Sequence, residues 1–533
     1  MNLATPWTPI LLLALLAALI HLLRGRLEGW RGATLAGVGL AAVLASLVLL
    51  RLSPDSAPLG FPWAPALGTS PHWAADPEMF PFALVLLLLF AGVVLSGAST
   101  ARWPSVFLLA AASLGILFAE NLLALALAWL LMETLLHLMG RDTAPRRDAS
   151  AFDALWGFLG LAGILFLWRA TDGASLRPYE TSQWTVQARL ILTGVAIIRV
   201  GAYPLVSRRL ALGADRLSPV DVSAGAPIIA GLALAERAAL LGPLPNSGWL
   251  VWFSAASALV CGFAAWQNPS ARVRLNWAIR AVLGLVLMLW SADVVPPLLL
   301  FPGAAASIAL GMGLWILRPS TAPSTGPDWR RGLRSAAWFA PAVILGLGPL
   351  SPAAFSMLRL WQHLLDQSMF LPLVLGLAGQ TLAMSALLRA DSSEERFEIS
   401  AMSRRGVYAL WLVCALAWAL LPRAILALGG DESGTIAAAL ELPQTLGAWA
   451  ALALPLLGVL GVSGPGRLSH IGQDWIKRVS NVLDLGWLRS AALVAGRWIG
   501  RAVGGLDDLL CGDGALPWSL ALLFGLVLFL MAK

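Results

Sequence analysis

Residues 107–139 read FLLAAASLGILFAENLLALALAWLLMETLLHLM, an apolar run whose ionisable residues are Glu120, Glu133 and His137. A single helix of this length would measure about 50 Å at 1.5 Å per residue, against a hydrocarbon core of roughly 30 Å. The run therefore reads as two membrane helices folded back around Glu120-Asn121. Similar runs lie on both sides. Leu3–Leu23, Ala33–Leu50 and Phe80–Ala98 precede it. After it come Phe152–Trp168, Leu190–Val206, Val222–Leu241, Trp249–Trp266, Trp277–Trp290, Leu298–Leu317, Ala336–Leu350, Met369–Leu388, Val407–Leu428, Leu446–Val462 and Trp518–Met531. Together they predict an all-α polytopic membrane protein of about 14–16 transmembrane helices.

Composition agrees with this pattern. Of 533 residues, 59% are hydrophobic and 12% charged, with mean hydropathy +0.78, whereas soluble domains average roughly 25% charged residues. Such a chain cannot cover a globule with a water-compatible surface. The first apolar run lacks a basic segment ahead of it and has Arg24 and Arg26 behind it, so it reads as a retained helix rather than a signal peptide. Arginine concentrates in alternate loops, Arg24–Arg31, Arg141–Ser150, Ser207–Ser218, Asn268–Asn276 and Arg318–Arg334 among them. The positive-inside rule places these in the cytoplasm and the N-terminus outside. The formal net charge of +7 then reflects topology; no accessible basic domain suggests nucleic-acid binding. Cys261, Cys414 and Cys511 are isolated, without metal or cluster spacing. No Walker loop or dinucleotide fingerprint occurs, which argues against an ATP or nicotinamide site on this chain.

Charges at bilayer depth are costly enough to suggest function. Glu133, Arg199 and the adjacent pair Glu236-Arg237 fall inside apolar runs, and His137 follows Glu133 at i+4, facing the same way. The bland alternatives are an interfacial His137 and a snorkelling Arg237. Helix breakers accompany the charges. Pro204 lies five residues past Arg199, Pro227 falls in the next run, and Pro349 and Pro352 interrupt the stretch Gly346–Phe355, ahead of Arg359 and His363. Broken helices persist in membranes only where protein or a wet cavity surrounds them.

In order and spacing these residues resemble the antiporter-like, proton-conducting subunits of respiratory complex I, membrane-bound hydrogenases and multisubunit cation/proton antiporters. Asn121-Leu122-Leu123 with Trp129 and Glu133 resembles that family's fifth-helix Asn-Leu…Trp-Glu motif. Arg199, Gly201 and Pro204 fall where a broken seventh helix reads Lys-x-Pro-x-x-Pro, and Ser218-Pro219-Val220 resembles the Thr-Pro-Val that opens the eighth. Gln267–Arg272 resembles the Gln…Asp-Leu-Lys-Arg stretch before the tenth, and Gly348–Phe355 the Gly-Leu-Pro-Pro stretch of the broken twelfth. The resemblance covers roughly residues 80–390 and implies two inverted five-helix repeats, 103–243 and 249–390. N-terminal helices would occupy 1–102, additional helices 406–464, and an amphipathic lateral helix with a last membrane helix 465–533, an extension that clamps neighbouring subunits in large members. Two departures stand out. Leu130 occupies the usual glutamate position, and the lysines expected elsewhere have no match, since the chain holds only Lys477 and Lys533. A buried lysine can load and release a proton; arginine stays charged.

The implied function is a proton-translocating-type subunit of a multisubunit energy-converting complex of the NADH/quinone oxidoreductase kind, multi-pass in the cell inner membrane, with weakened proton-path motifs. Its partners would be other integral membrane subunits, a peripheral soluble subunit, lipid, and protons or a small ion. No cofactor is expected on this chain; iron–sulfur clusters or quinone would belong to partners. Two alternatives are a membrane subunit of an inorganic-carbon or cation uptake system and a non-conducting structural subunit of a respiratory complex.

Overall fold

The computed structural model describes residues 5–23, 30–53, 59–60, 70–95, 103–141, 147–171, 176, 184–202, 225–242, 248–268, 270–316, 339–347, 351–388, 411–414, 446–462 and 494. Their helices are α1 (Trp7–Leu22), α2 (Trp30–Leu52), α3 (Phe80–Leu95), α4 (Trp103–Leu117), α5 (Leu122–Arg141), α6 (Arg147–Ala170), α7 (Val186–Val200) and α8 (Gly225–Leu240). They continue with α9 (Gly248–Gln267), α10 (Ala271–Ala292), α11 (Pro297–Ile316), α12 (Phe339–Ile344), α13 (Pro352–Asp366), α14 (Phe370–Leu388) and α15 (Leu446–Val462). Five of these helices contain stretches long and apolar enough to cross a membrane, and shorter apolar helices accompany them. Large side chains such as Leu22, Phe158, Trp249, Phe370 and Leu446 point outward. An outer surface of this kind is stable against lipid, and the chain is a multi-pass membrane protein.

The fold-back at Glu120-Asn121 is where the sequence places it. α4 stops at Leu117, and Asn121 opens α5 by accepting a hydrogen bond from the Ala124 amide at 2.9 Å, the geometry by which a short polar side chain satisfies a helix N-terminus. The Asn121 side-chain amide also donates to the Ser70 carbonyl at 2.7 Å. A short antiparallel pair, Leu59–Gly60 with His72–Trp73, is the one pair of strands among the described residues. It is stitched to the same helix end: the Glu120 amide donates to His72, Ala74 to Phe118, and the Trp73 indole to Gly115.

Helices α4 to α8 pack in sequence, α4 on α5, α5 on α6, α6 on α7 and α7 on α8. A second cluster forms from α9, α10 and α14. Between them lies α11, which touches α3 and α8 on one side and α12 and α13 on the other. Small residues bring the helices close. A Cβ at Gly379 would meet the Ala258 carbonyl at 2.5 Å, and one at Gly284 the Ala258 nitrogen at 2.9 Å. Close approach of this kind takes the place of hydrophobic burial, which drives little helix association within lipid.

The apolar run Trp277–Trp290 is longer than the sequence indicates. α10 begins at Ala271, and Arg274 and Asn276 are buried at 1% and 3% exposure. Residues 271–276 are therefore helix and not a solvated cytoplasmic loop, and Arg274 drops out of the charge asymmetry. The lateral helix and final span, Val494 apart, lie outside the described residues, as does most of the run Val407–Leu428.

Candidate functional site

Glu133 on α5 and Arg199 on α7 meet. Arg199 Nη1 donates to Glu133 Oε1 in an ion pair whose side chains are 5% and 15% exposed, respectively. The residues around the pair fix its geometry. The Arg199 guanidinium lies over the Trp129 ring, 4.5 Å from its centroid, a cation–π arrangement that strengthens as water is excluded. Trp129 in turn donates from its indole to the Gly157 carbonyl on α6 at 3.1 Å. Gly157 and Gly160 lack side chains where these groups need room: a Cβ at Gly157 would lie 2.5 Å from Glu133 Oε2, and one at Gly160 would overlap the Trp129 ring. Leu130, where the resemblance puts a carboxylate, is 49% exposed on the outer side of α5. Glu133, less than one helical turn further on, is the position that faces α7.

Arg199 lies at the last turn of α7, which ends at Gly201 with φ 70°. That left-handed conformation suits glycine. The Gly201 carbonyl then accepts a hydrogen bond from Arg280 of α10, whose Nε donates to Asn276 at 3.1 Å. A cation here satisfies an orphan carbonyl and complements the negative end of the helix dipole.

A second break separates α12 from α13. Gly346 has φ 67°, the Leu347 amide returns to the Ala342 carbonyl at 2.7 Å, and the Leu345 carbonyl accepts from the Gln380 side chain of α14 at 2.9 Å. Ser351 opens α13 by accepting from the Ala354 amide at 3.2 Å. A small cavity, about the size of one water molecule, lies beside this break, lined by Val286, Ser307, Ile344, Gly346, Ser356 and Met357 among others.

Glu236 and Arg237, neighbours on α8, differ completely in their surroundings. Arg237 neither snorkels nor reaches the Glu133–Arg199 pair. It donates to the Ala119 carbonyl at 2.6 Å, to Leu117 at 2.7 Å and to Asp76 Oδ2 at 3.1 Å, closing the C-terminal end of α4. Glu236 is 0% exposed, and neither of its oxygens has a hydrogen-bond partner among the described residues.

The remaining candidates are less informative. His137 lies on α5, but its side chain is outside the described residues, as are Pro204 and Pro349. Pro352 is at the start of α13, where a proline removes no helical hydrogen bond, so it begins a helix rather than interrupting one. Pro227 is the third residue of α8 as described from Gly225, and the residues ahead of the helix lie outside those described. Arg359 and His363 are half-buried on α13. Sequence reasoning passed over Arg280 and Gln380. Arg280 carries the same signal as Arg199, a charge within an apolar run, whereas a neutral amide such as Gln380 gives none. Among the described residues no group of three or more His, Cys, Asp or Glu side chains could hold a metal.

The fold recurs in solved membrane complexes. A chain of the Mrp complex from Dietzia sp. DQ12-45-1b superposes with TM-score 0.71 at 18% identity, over 98% of this chain and 62% of that one. A chain of the membrane-bound sulfane sulfur reductase, an archaeal respiratory membrane complex, gives 0.66 at 15% identity over 98% and 99%. A chain of respiratory complex I from Thermus thermophilus with bound NADH gives 0.63 at 17% identity over 82% and 100%. This chain thus spans 62% of the length of the matched Mrp chain. No family model and no curated protein matches the sequence. The fold is that of membrane subunits in multisubunit complexes; identities this low carry the fold and not the chemistry.

Proposed function

We propose that this chain is a proton-translocating-type membrane subunit of a multisubunit energy-converting complex of the NADH/quinone oxidoreductase kind, in the cell inner membrane. The observation that carries the reading is the Glu133–Arg199 pair at the end of α7. An ion pair within a membrane bundle costs desolvation of both charges and is weak support for stability alone, so it calls for a use. Arginine does not release its proton. Any change of charge here therefore falls on Glu133, with Arg199 a fixed cation beside it. Protonating Glu133 would weaken its hold on Arg199 and so act on the end of α7, which Arg280 also grips.

The non-conducting structural reading draws on a different observation. Arg237 and Arg280 both bond backbone carbonyls beyond helix ends, and neither can carry a proton. The two readings separate in one experiment. In the purified complex reconstituted into vesicles, Glu133→Gln should lower proton flux by at least about tenfold, within the range usual for loss of an acid–base group, with the subunits still co-purifying. Unchanged flux in an assembled complex would leave the structural reading. Identifying the co-purifying subunits separates respiratory partners from those of an uptake system.

A further inference from the structure

Glu236 lies five residues past Gly231 on α8, about 7.5 Å along the helix axis. Gly231 itself is pressed against the end of α7: a Cβ there would come within 2.7 Å of the Val200 nitrogen. Glu236 is therefore displaced from the Glu133–Arg199 pair toward the end of α8 where Arg237 bonds the terminus of α4. Asp76 and Glu78, in the link ahead of α3, gather at that same end, as does Glu120 between α4 and α5. Arg237, the neighbour of Glu236 on α8, bonds Asp76 and so brings the link that carries Glu78 to the Glu236 end of the helix. The other elements packed on α8 add little. α3, α4 and α11 carry no ionisable side chain, and α7 brings Arg189 beside Gly242 and Arg199 beside Gly231.

A carboxylate with both oxygens buried and no donor among the described residues is among the costliest arrangements a protein can hold, whereas a carboxylic acid there costs far less. Glu78, two residues from the Arg237 clamp at Asp76, is half-buried and so partly open to solvent. We propose that Glu236 is a proton-binding site filled from water through Glu78. The purpose of this site rests on the proton-translocating reading, though its detection does not. In the step itself, Glu78 as the carboxylic acid gives its proton to the Glu236 carboxylate, leaving Glu78 ionised and Glu236 neutral, and water at the protein surface restores the proton to Glu78. Arg237 remains charged throughout. Held on two carbonyls and Asp76, it is a positioning residue that eases whichever carboxylate is ionised.

The test uses the intact complex in vesicles. Infrared difference spectra in H₂O and D₂O follow the carboxylic C=O band, and a hydrophobic carbodiimide, which attacks protonated carboxyls in apolar surroundings, is mapped by mass spectrometry. Glu236 should be modified, Glu236→Gln should remove the band, and Glu78→Gln should keep the band while slowing its H/D shift at least about tenfold. A band that survives Glu236→Gln, or an H/D shift equally fast in Glu78→Gln, overturns the proposal. If Glu236→Gln fails to assemble, Glu78→Gln, altered at a half-buried position, decides alone. Flux that ignores Glu133→Gln while the Glu236 band persists would refute transport and support the site; flux that depends on Glu133 without such a band would do the reverse.

Discussion

At the first helix break, Gly201 turns out of α7 at φ 70° and its carbonyl is held by Arg280; at the second, Gly346 turns at φ 67° and the neighbouring Leu345 carbonyl is held by Gln380. Both use a glycine in the left-handed region and one side chain from an adjacent helix. They differ in charge. The first has a guanidinium on the carbonyl and an ion pair one turn back, while the second has a neutral amide and a cavity lined mainly by apolar side chains. The difference teaches that breaking a helix inside a membrane requires only a donor for the freed carbonyl. Charge is an addition, and where it occurs it marks the break that can respond to a change in protonation.

That contrast can be broken by mutation. The largest effect is expected from Arg199→Leu, which removes one member of the Glu133–Arg199 pair; loss of one member of a buried pair costs about 3–5 kcal/mol, read from the chemical unfolding midpoint of the purified protein in detergent. A loss below about 1 kcal/mol, the level of an exposed pair, would mean the first break is no more charge-dependent than the second. Next come the two caps. Arg280→Leu should cost about 1.5–3 kcal/mol, as for hydrogen bonds from charged donors, and Gln380→Leu about 0.5–1.5 kcal/mol, as for neutral ones. Equal losses would erase the distinction. Most alike should be Gly201→Ala and Gly346→Ala, each about 1–2 kcal/mol for a side chain forced into the left-handed region. A marked inequality between them would show that the backbones are less alike than their dihedral angles.

What the sequence revealed followed the cost of the signal. Glu120-Asn121 was legible because two polar residues in the middle of a 33-residue apolar run have few places to go except a turn. Glu133 and Arg199 were legible because charges at depth are rare, though not that Trp129 and Gly157 would hold them. Glu236 and Arg237 read as one unit in the sequence, yet consecutive residues on a helix point about 100° apart, and the structure sends Arg237 to the end of α4 and leaves Glu236 buried with no hydrogen-bond partner among the described residues. Arg280 carries the same signal as Arg199, three residues inside the run Trp277–Trp290, but nothing in the sequence points to the Gly201 carbonyl as its partner. Gln380 and Glu78 gave no signal, since an amide in a span and an acid in a loop are both commonplace.

The indole of Trp411 fills two notches at once. A Cβ at Gly92 on α3 or at Gly313 on α11 would run into its ring, and Trp411 itself is 1% exposed. During synthesis both notches are made long before the side chain that plugs them leaves the ribosome. The seam between those two early helices can thus be sealed only by a late arrival, and a chain interrupted ahead of residue 411 would be left with an open slot in its middle.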